Sequence, residues 1–415
     1  MKCNSCSSVF PVDNADFCPY CGNVLWESKK ILIKPSDTVC IHSWQSYREG
    51  TVYRDTTMPS EGVLCLCDER ANDLRLIKKY RTSPDTIYFI TADIKTENVV
   101  NHESKHAPMG ASISSGENNC SRSILGTSDW QRVGVLGRSD ENGILTVSFN
   151  LGYYSNTCSG KAWFDSVRFT PADSITKGEN RWRFLAVILT NTGLDTIDKD
   201  TGERISLSHK MSNSEICAIK KSLIDFEADL SKDAEGLFTI SVDTIVSDTL
   251  CTDYTKNSWG YTITNADAAS YLENIGVDVS LYDHVIVIAA QPSLPARYYG
   301  LGGMNIHQGI GYSFVLHTNV EHYVEYLNGR QDGGWPPAIY IHEFLHSVEA
   351  LSNALGLNVP LLDSAYPGYT SENEWRAWYY DYMHKKINSM GKIEGIDPRV
   401  WRLRPSLFTT KNLSF

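Results

Sequence analysis

Apolar positions recur along this chain with two different periods. Residues 86–95 have strand character, residues 143–149 alternate apolar and polar, the spacing of strands, and residues 163–169 close the series. Turn-forming Gly, Asn, Asp and Ser separate these runs, and no helical period intervenes. A β-sandwich is therefore expected from about Ile31 to Ala172, closing on its own core. Beyond Gly178 the pattern changes. Residues 182–189 read as a strand buried from Phe184 onward, residues 237–246 alternate, and residues 284–290 are an apolar strand. Between them, Ile216, Ile219, Leu223, Phe226 and Leu230 repeat at helical spacing behind a cap at Ser212 or Asn213. Residues 266–275 read as a short helix. A Gly-rich turn at residues 298–303 precedes a strand over residues 311–316, and residues 309–316 are the expected sheet edge. This order of strands and helices predicts an α+β half, 178–415, after the all-β part, 31–172. At 415 residues, two or three domains are expected.

Inside the last long helical pattern stands His342-Glu343-Phe344-Leu345-His346. Two histidines four residues apart share one helical face, so both imidazoles can reach one metal ion. Zinc takes nitrogen ligands readily and keeps an open position in catalytic sites. Glu343 lies one step round the helix, where it can accept a proton from an activated water without being a ligand. Pro336-Pro337 suit the helix start, Ile339, Ile341, Leu345, Val348 and Leu351 supply a buried stripe, and Gly356 is placed to end it. The motif predicts a zinc-dependent hydrolase, most often a peptidase.

Two histidines do not complete a site. Metzincins carry a Gly and a third His just after the motif; here those positions are Glu349 and Ser352, so that class is excluded. Glu349 shares the histidine face but sits about two turns, roughly 10 Å, from His342 along the axis. The third ligand must come from a later element, and Asp363, Glu372 and Glu374 are the candidates. Residues 375–383, opening on Trp375 and rich in Trp and Tyr, read as a second buried helix. Here the chain resembles the gluzincin branch of zinc metallopeptidases. The string 365–375, A-Y-P-G-Y-T-S-E-N-E-W, is similar to the matching stretch of lethal-factor-type toxins. That resemblance implies Glu374 as ligand and Tyr366 as oxyanion donor. One inserted residue at Pro367 leaves Tyr369 as a rival for the Tyr role. Asp363 keeps its place because aspzincin-type sites use an Asp.

At the other end, Cys3-Asn-Ser-Cys6 and Cys18-Pro-Tyr-Cys21 form paired C-x-x-C knuckles. Four thiolates at this spacing bind structural zinc tetrahedrally. The segment, residues 1–28, resembles the zinc ribbons of many bacterial N-termini. It is too short to bury a core, so metal binding must supply its folding energy.

The pieces 126–133 and 159–167 resemble carbohydrate-binding-module jelly rolls, in which a G-x-x-x-W turn leads a strand and a last strand reads S-G-x-x-x-F-D-x-V. The resemblance implies a sugar partner held on exposed aromatics. Tyr53, Trp130, Tyr153, Tyr154 and Trp163 are the candidates, against a role in filling or capping the core. Asp165 is a candidate ligand for a structural Ca²⁺.

Composition narrows the remainder. A formal net charge of -11 and a pI near 5.5 argue against a nucleic-acid surface. No apolar run is long enough to span a bilayer and no secretory signal is visible, so cytoplasm is expected, with non-classical export left open. Seven further cysteines, Cys40, Cys65, Cys67, Cys120, Cys158, Cys217 and Cys251, are too irregular for a disulfide framework. The expected function is a zinc endopeptidase acting on protein or glycoprotein. Two other classes stay open: an inactive zincin serving as a glycan- or protein-binding module, and a zinc hydrolase of a non-peptide bond. His307, His317, His322 and His384 receive no role.

Overall fold

Strand-forming segments dominate the chain, as their alternation predicts. The structure is a computed structural model that describes residues 31–32, 39–43, 51–55, 63–103, 109–116, 119–153, 156–257, 260–290, 300–304, 310–317, 337–357, 359–363, 375–385 and 395–408. The expected ribbon, with Cys3, Cys6, Cys18 and Cys21, lies outside those residues.

The first half is a two-sheet sandwich. Its strands are β1 (Ile31–Leu32), β2 (Val39–Ser43), β3 (Thr51–Arg54), β4 (Leu64–Asn72), β5 (Leu74–Arg81), β6 (Ile87–Glu103), β7 (Ala111–Ser114), β8 (Gly126–Arg138), β9 (Ile144–Leu151) and β10 (Thr157–Pro171). One sheet runs β1-β3-β4-β10-β6-β8, the other β2-β5-β9-β7. Their pairings are antiparallel, and every second residue enters the space between them. Leu64 and Leu66 of β4, Ile90, Ala92 and Ile94 of β6, and Leu145, Val147, Phe149 and Leu151 of β9 share one core. On β10 the alternation places Ala162 and Phe164 in that core, while Trp163 joins Tyr53, Val63 and Cys65 on the other side of the sheet. Cys65, Cys120, Cys158, Cys217 and Cys251 are in no disulfide.

A single helical turn, α1 (Ala172–Ile175), leads into the second half. It holds β11 (Arg181–Leu189), the hairpin β12 (Asn191–Ile197) and β13 (Arg204–Lys210), helix α2 (Asn213–Asp233), β14 (Thr239–Ser247), the short pair β15 (Thr255–Asn257) and β16 (Gly260–Thr262), and helix α3 (Asn265–Asn274). There follow β17 (His284–Ala290), β18 (Gly300–Met304), β19 (Gly311–His317) and helices α4 (Pro337–Ala354) and α5 (Trp375–Met383). Neither hairpin was expected from the pattern, although Ile205 and Leu207 on β13 do alternate. Ser212 caps α2 in a reciprocal capping box with Glu215.

Five strands form a sheet of order β14-β11-β17-β19-β18, parallel except at β18. Its central strands are buried on both faces, which explains their unbroken apolar runs. Phe184, Ala186 and Ile188 of β11 face α2, α4 and α5, whereas Leu185, Val187 and Leu189 face α3. One expectation is corrected here. Residues 309–316 are not the edge, because β19 pairs on one side with β17 and on the other with β18; among the described residues the edge is Gly300–Met304. No described helix is long and apolar enough to cross a membrane.

The two halves share apolar surface. Ile87 and Ala172 belong to the same core cluster as Trp182, Phe344 and Trp401, and Leu136 packs against it. The rings of Phe89 and Phe408 meet edge to face at 5.4 Å.

Candidate metal centre

Helix α4 buries Ile341, Phe344, Leu345, Val348 and Leu351 against the sheet, which turns the other face, with His342 and His346, outward. Gly356 closes it at φ +64°, a left-handed conformation that suits glycine. Leu357 N–H then donates to Ser352 O at 2.9 Å. Ser347 Oγ donates to Gly303 O at 2.7 Å, fastening the helix to the edge strand.

His342 Nε2 and His346 Nε2 lie 3.1 Å apart. Asp363, in the turn after the helix, brings Oδ1 to 3.3 Å from His342 Nε2 and Oδ2 to 3.6 Å from His346 Nε2. Among the described residues this is the one group of three or more such side chains whose donor atoms all fall within 4.8 Å of one another. Zinc bonds of 2.0–2.1 Å in a tetrahedron imply ligand edges of about 3.3 Å. The closest approaches, 3.1 Å between the imidazoles and 3.3 and 3.6 Å to the two carboxylate oxygens, lie near that spacing. Of the three carboxylates weighed from the sequence, Asp363 is the one brought to the histidines; Glu372 and Glu374 lie outside the described residues, as do Tyr366 and Tyr369.

Each imidazole is held at its far nitrogen. His346 Nδ1 is 3.1 Å from Glu349 Oε2. A carboxylate only accepts, so Nδ1 carries the hydrogen and Nε2 presents its lone pair to the site. His342 Nδ1 is 3.0 Å from the Tyr379 hydroxyl on α5. Burial, then the neighbouring His346, hold His342 below its ordinary range, to about 4. Burial opposes charge on His346, but its bond to Glu349 and the carboxylates of Glu343 and Asp363 raise it on balance. Burial also raises Tyr379, so its phenol stays protonated. Glu349 was not assigned a role from sequence; its place three residues after His346 is the signal that could have found it.

Glu343 is 4% exposed, wedged against β18. A Cβ at Gly300 would fall 2.1 Å from Glu343 Oε1, and one at Gly302 would fall 2.1 Å from Glu343 O. Only glycines permit this approach. Burial, opposed by the neighbouring His346, helped by the Asp363 carboxylate and opposed again by a hydrogen bond from Gly302 N–H, pushes the Glu343 carboxyl up to about 7. A carboxyl poised near neutrality beside two imidazoles and a carboxylate can exchange a proton with a substrate or water there.

The sandwich candidates divide. Tyr53, Tyr153 and Trp163 are buried, and Trp163 Nε1 donates to Asp55 Oδ2 at 2.8 Å. Trp130 is 37% exposed, and Tyr154 lies outside the described residues. Asp165 joins no metal-ligand cluster among the described residues.

No protein-family model and no curated protein match the chain. Among solved structures, a family 11 carbohydrate-binding module from Clostridium thermocellum, in complex with a β-1,3-1,4-mixed-linked tetrasaccharide, is similar over 34% of this chain and 95% of its own, at 11% identity and a TM-score of 0.22. A CBM22-1 xylan-binding domain from Paenibacillus barcinonensis is similar over 34% and 90%, at 7% identity and 0.21. A family 29 module from Piromyces equi is similar over 34% and 85%, at 11% identity and 0.20.

Proposed function

We propose that this chain is a zinc-dependent hydrolase of peptide bonds, with His342, His346 and Asp363 as ligands and Glu343 as general base. The observation that carries the reading is the convergence of two imidazole Nε2 atoms 3.1 Å apart with a carboxylate whose Oδ1 is 3.3 Å from the one and whose Oδ2 is 3.6 Å from the other. Three lone-pair donors so close repel one another unless a cation or proton lies between them. The hydrogen that His346 gives to Glu349 leaves its Nε2 free to ligate. Three protein donors leave the fourth tetrahedral position that catalytic zinc requires. Zinc held there would supply Lewis acidity, polarising the scissile carbonyl and lowering the pKa of water to about 7.

Glu343 then accepts the proton of the attacking water and delivers it to the leaving amine. Gly302 N–H holds its carboxylate in place for both transfers. A peptide substrate is supported by β18, which among the described residues ends the sheet beside Glu343. An extended peptide can add to such an edge by main-chain hydrogen bonds. The resemblance-derived oxyanion role of Tyr366 or Tyr369 belongs to the same proposal.

Elemental analysis with peptide cleavage tests it. Wild type should carry a ribbon zinc and a second, chelator-labile zinc, and should cleave peptides. Asp363→Ala should lose the labile ion alone. Retention in that variant would move the third ligand to Glu374 or Glu372. A full zinc complement without peptide cleavage would favour the non-peptide hydrolase or the inactive binding module.

A further inference from the structure

Asp363 presents a difficulty for any metal site. Its side chain is 73% exposed, so burial does not fix where the carboxylate stands. Its main chain must do so, through residues 356–363, which contain no helix or strand among the described residues. Three fastenings hold this stretch. Leu357, Val359 and Leu362 enter the core, and Tyr382 donates from its hydroxyl to Pro360 O at 3.0 Å. The third comes from the sandwich. Arg138, the last residue of β8, donates from Nη1 to Gly356 O at 3.1 Å.

That guanidinium is itself anchored. Its Nε donates to Asp85 Oδ1 at 2.6 Å. Arg399 Nη1 donates to Asp85 O at 3.0 Å and to Oδ2 at 3.2 Å. Arg399 also donates from Nε and Nη2 to Asp397 at 3.1 and 3.0 Å. Asp85 thus joins an arginine of the sandwich to an arginine of the C-terminal segment, and the first reaches the main chain where α4 ends. Close packing accompanies the bonds: a Cβ at Gly116 of the sandwich would fall 2.9 Å from Ala354 O. A cation suits this place, since it lies just past the C-terminus of α4, at the negative end of the helix dipole.

We infer that Arg138 is a positioning residue for the metal centre: through Gly356 O it fixes the near end of the segment that delivers Asp363. The inference rests on the proposed function and adds to it that the sandwich is a structural part of the site. Exposed ion pairs contribute little to stability, so the effect should appear in metal affinity before it appears in melting temperature.

The test is the zinc affinity of the labile site, measured on the full chain by competition with a chromogenic chelator. Arg138→Ala should raise the zinc Kd by about threefold to tenfold, less than the 10- to 100-fold of a side chain bonded directly to a ligand. Asp85→Asn, which keeps the shape of the hub and removes its charge, should move the Kd in the same direction. Arg138→Lys reaches one of the two acceptors and should fall between. Arg132→Ala, which breaks a sandwich ion pair with Asp93, should match wild type. Peptide cleavage by Arg138→Ala should return to wild type at saturating zinc, which a lost substrate contact would not allow. A wild-type Kd in either folded Arg138→Ala or Asp85→Asn overturns the inference and leaves the proposed function standing. Absence of labile zinc from wild type overturns both.

Discussion

Glu349 Oε2 stands 3.1 Å from Nδ1 of His346, on the side of the ring away from the Asp363 carboxylate. Glu349 is itself buried, at 8% exposure, so the pair is shielded from competing water. Such a bond selects the tautomer, orients the ring and makes the opposite nitrogen more basic. Glu349→Ala should therefore weaken the labile zinc by about 10- to 100-fold. Tyr379→Phe, which removes the neutral partner of His342, should weaken it less, since hydrogen bonds to charged groups are the stronger kind. Chelator competition measures both; equal Kd values for Glu349→Ala and wild type would show that the carboxylate serves α4 alone.

Glu343→Ala separates chemistry from binding. Glu343 is not among the three side chains whose donor atoms converge, so zinc content should remain that of wild type. Hydrolysis should fall by about 10² to 10⁴. Cleavage at the wild-type rate would remove Glu343 from the reaction.

Two glycines of β18 touch the same glutamate at different atoms. A methyl at Gly300 meets the Oε1 end of the side chain, which can rotate away; a methyl at Gly302 meets the main-chain carbonyl, which cannot. Gly300→Ala should displace the base and lower kcat, on the order of 10²-fold for a shift of about 1 Å, with little change in Tm. Gly302→Ala should force strand and helix apart and cost about 1–3 kcal/mol of stability, read as a lower Tm. Equal Tm losses in both variants would mean that the carboxylate is as immobile as the backbone.

Much of this arrangement is legible from residue order because it rests on local signals. Alternation gives β9, an apolar run gives β17, and a cap at Ser212 or Asn213 gives the start of α2. His342 and His346 meet by helix geometry alone. The third ligand is different. Asp363 lies in an exposed turn, and spacing cannot rank it against Glu372 and Glu374 because the path back to the helix depends on tertiary fastenings. Strand order is hidden for a similar reason. Gly300–Met304 has three glycines and little strand propensity, yet it takes the edge because only such a strand can lie against Glu343. The Arg138–Gly356 bond joins residues 218 apart and has no signature in either segment.

His284 gives the last prediction. It is fully buried among Phe184 and Phe344, with Nε2 at 2.6 Å from Ser313 Oγ and Nδ1 without a hydrogen-bond partner. Burial holds it down to about 3 from an ordinary 6.5. The folded protein therefore keeps this ring neutral where the unfolded chain protonates it. Its contribution is at its full value above pH 6.5 and is lost as the pH falls from 6.5 toward 3. The slope within that window approaches about 1.4 kcal/mol per pH unit, or about 2 kcal/mol by pH 5. His284→Gln keeps a polar end near Ser313 and removes the titration. Denaturant unfolding of both proteins at pH 7.5 and pH 5 should give the variant a smaller acid loss by about that amount. Both carry the same zinc ligands, so release of metal on acidification cancels in the difference. Parallel losses would mean that water reaches Nδ1 and that the ring accepts its proton in the fold.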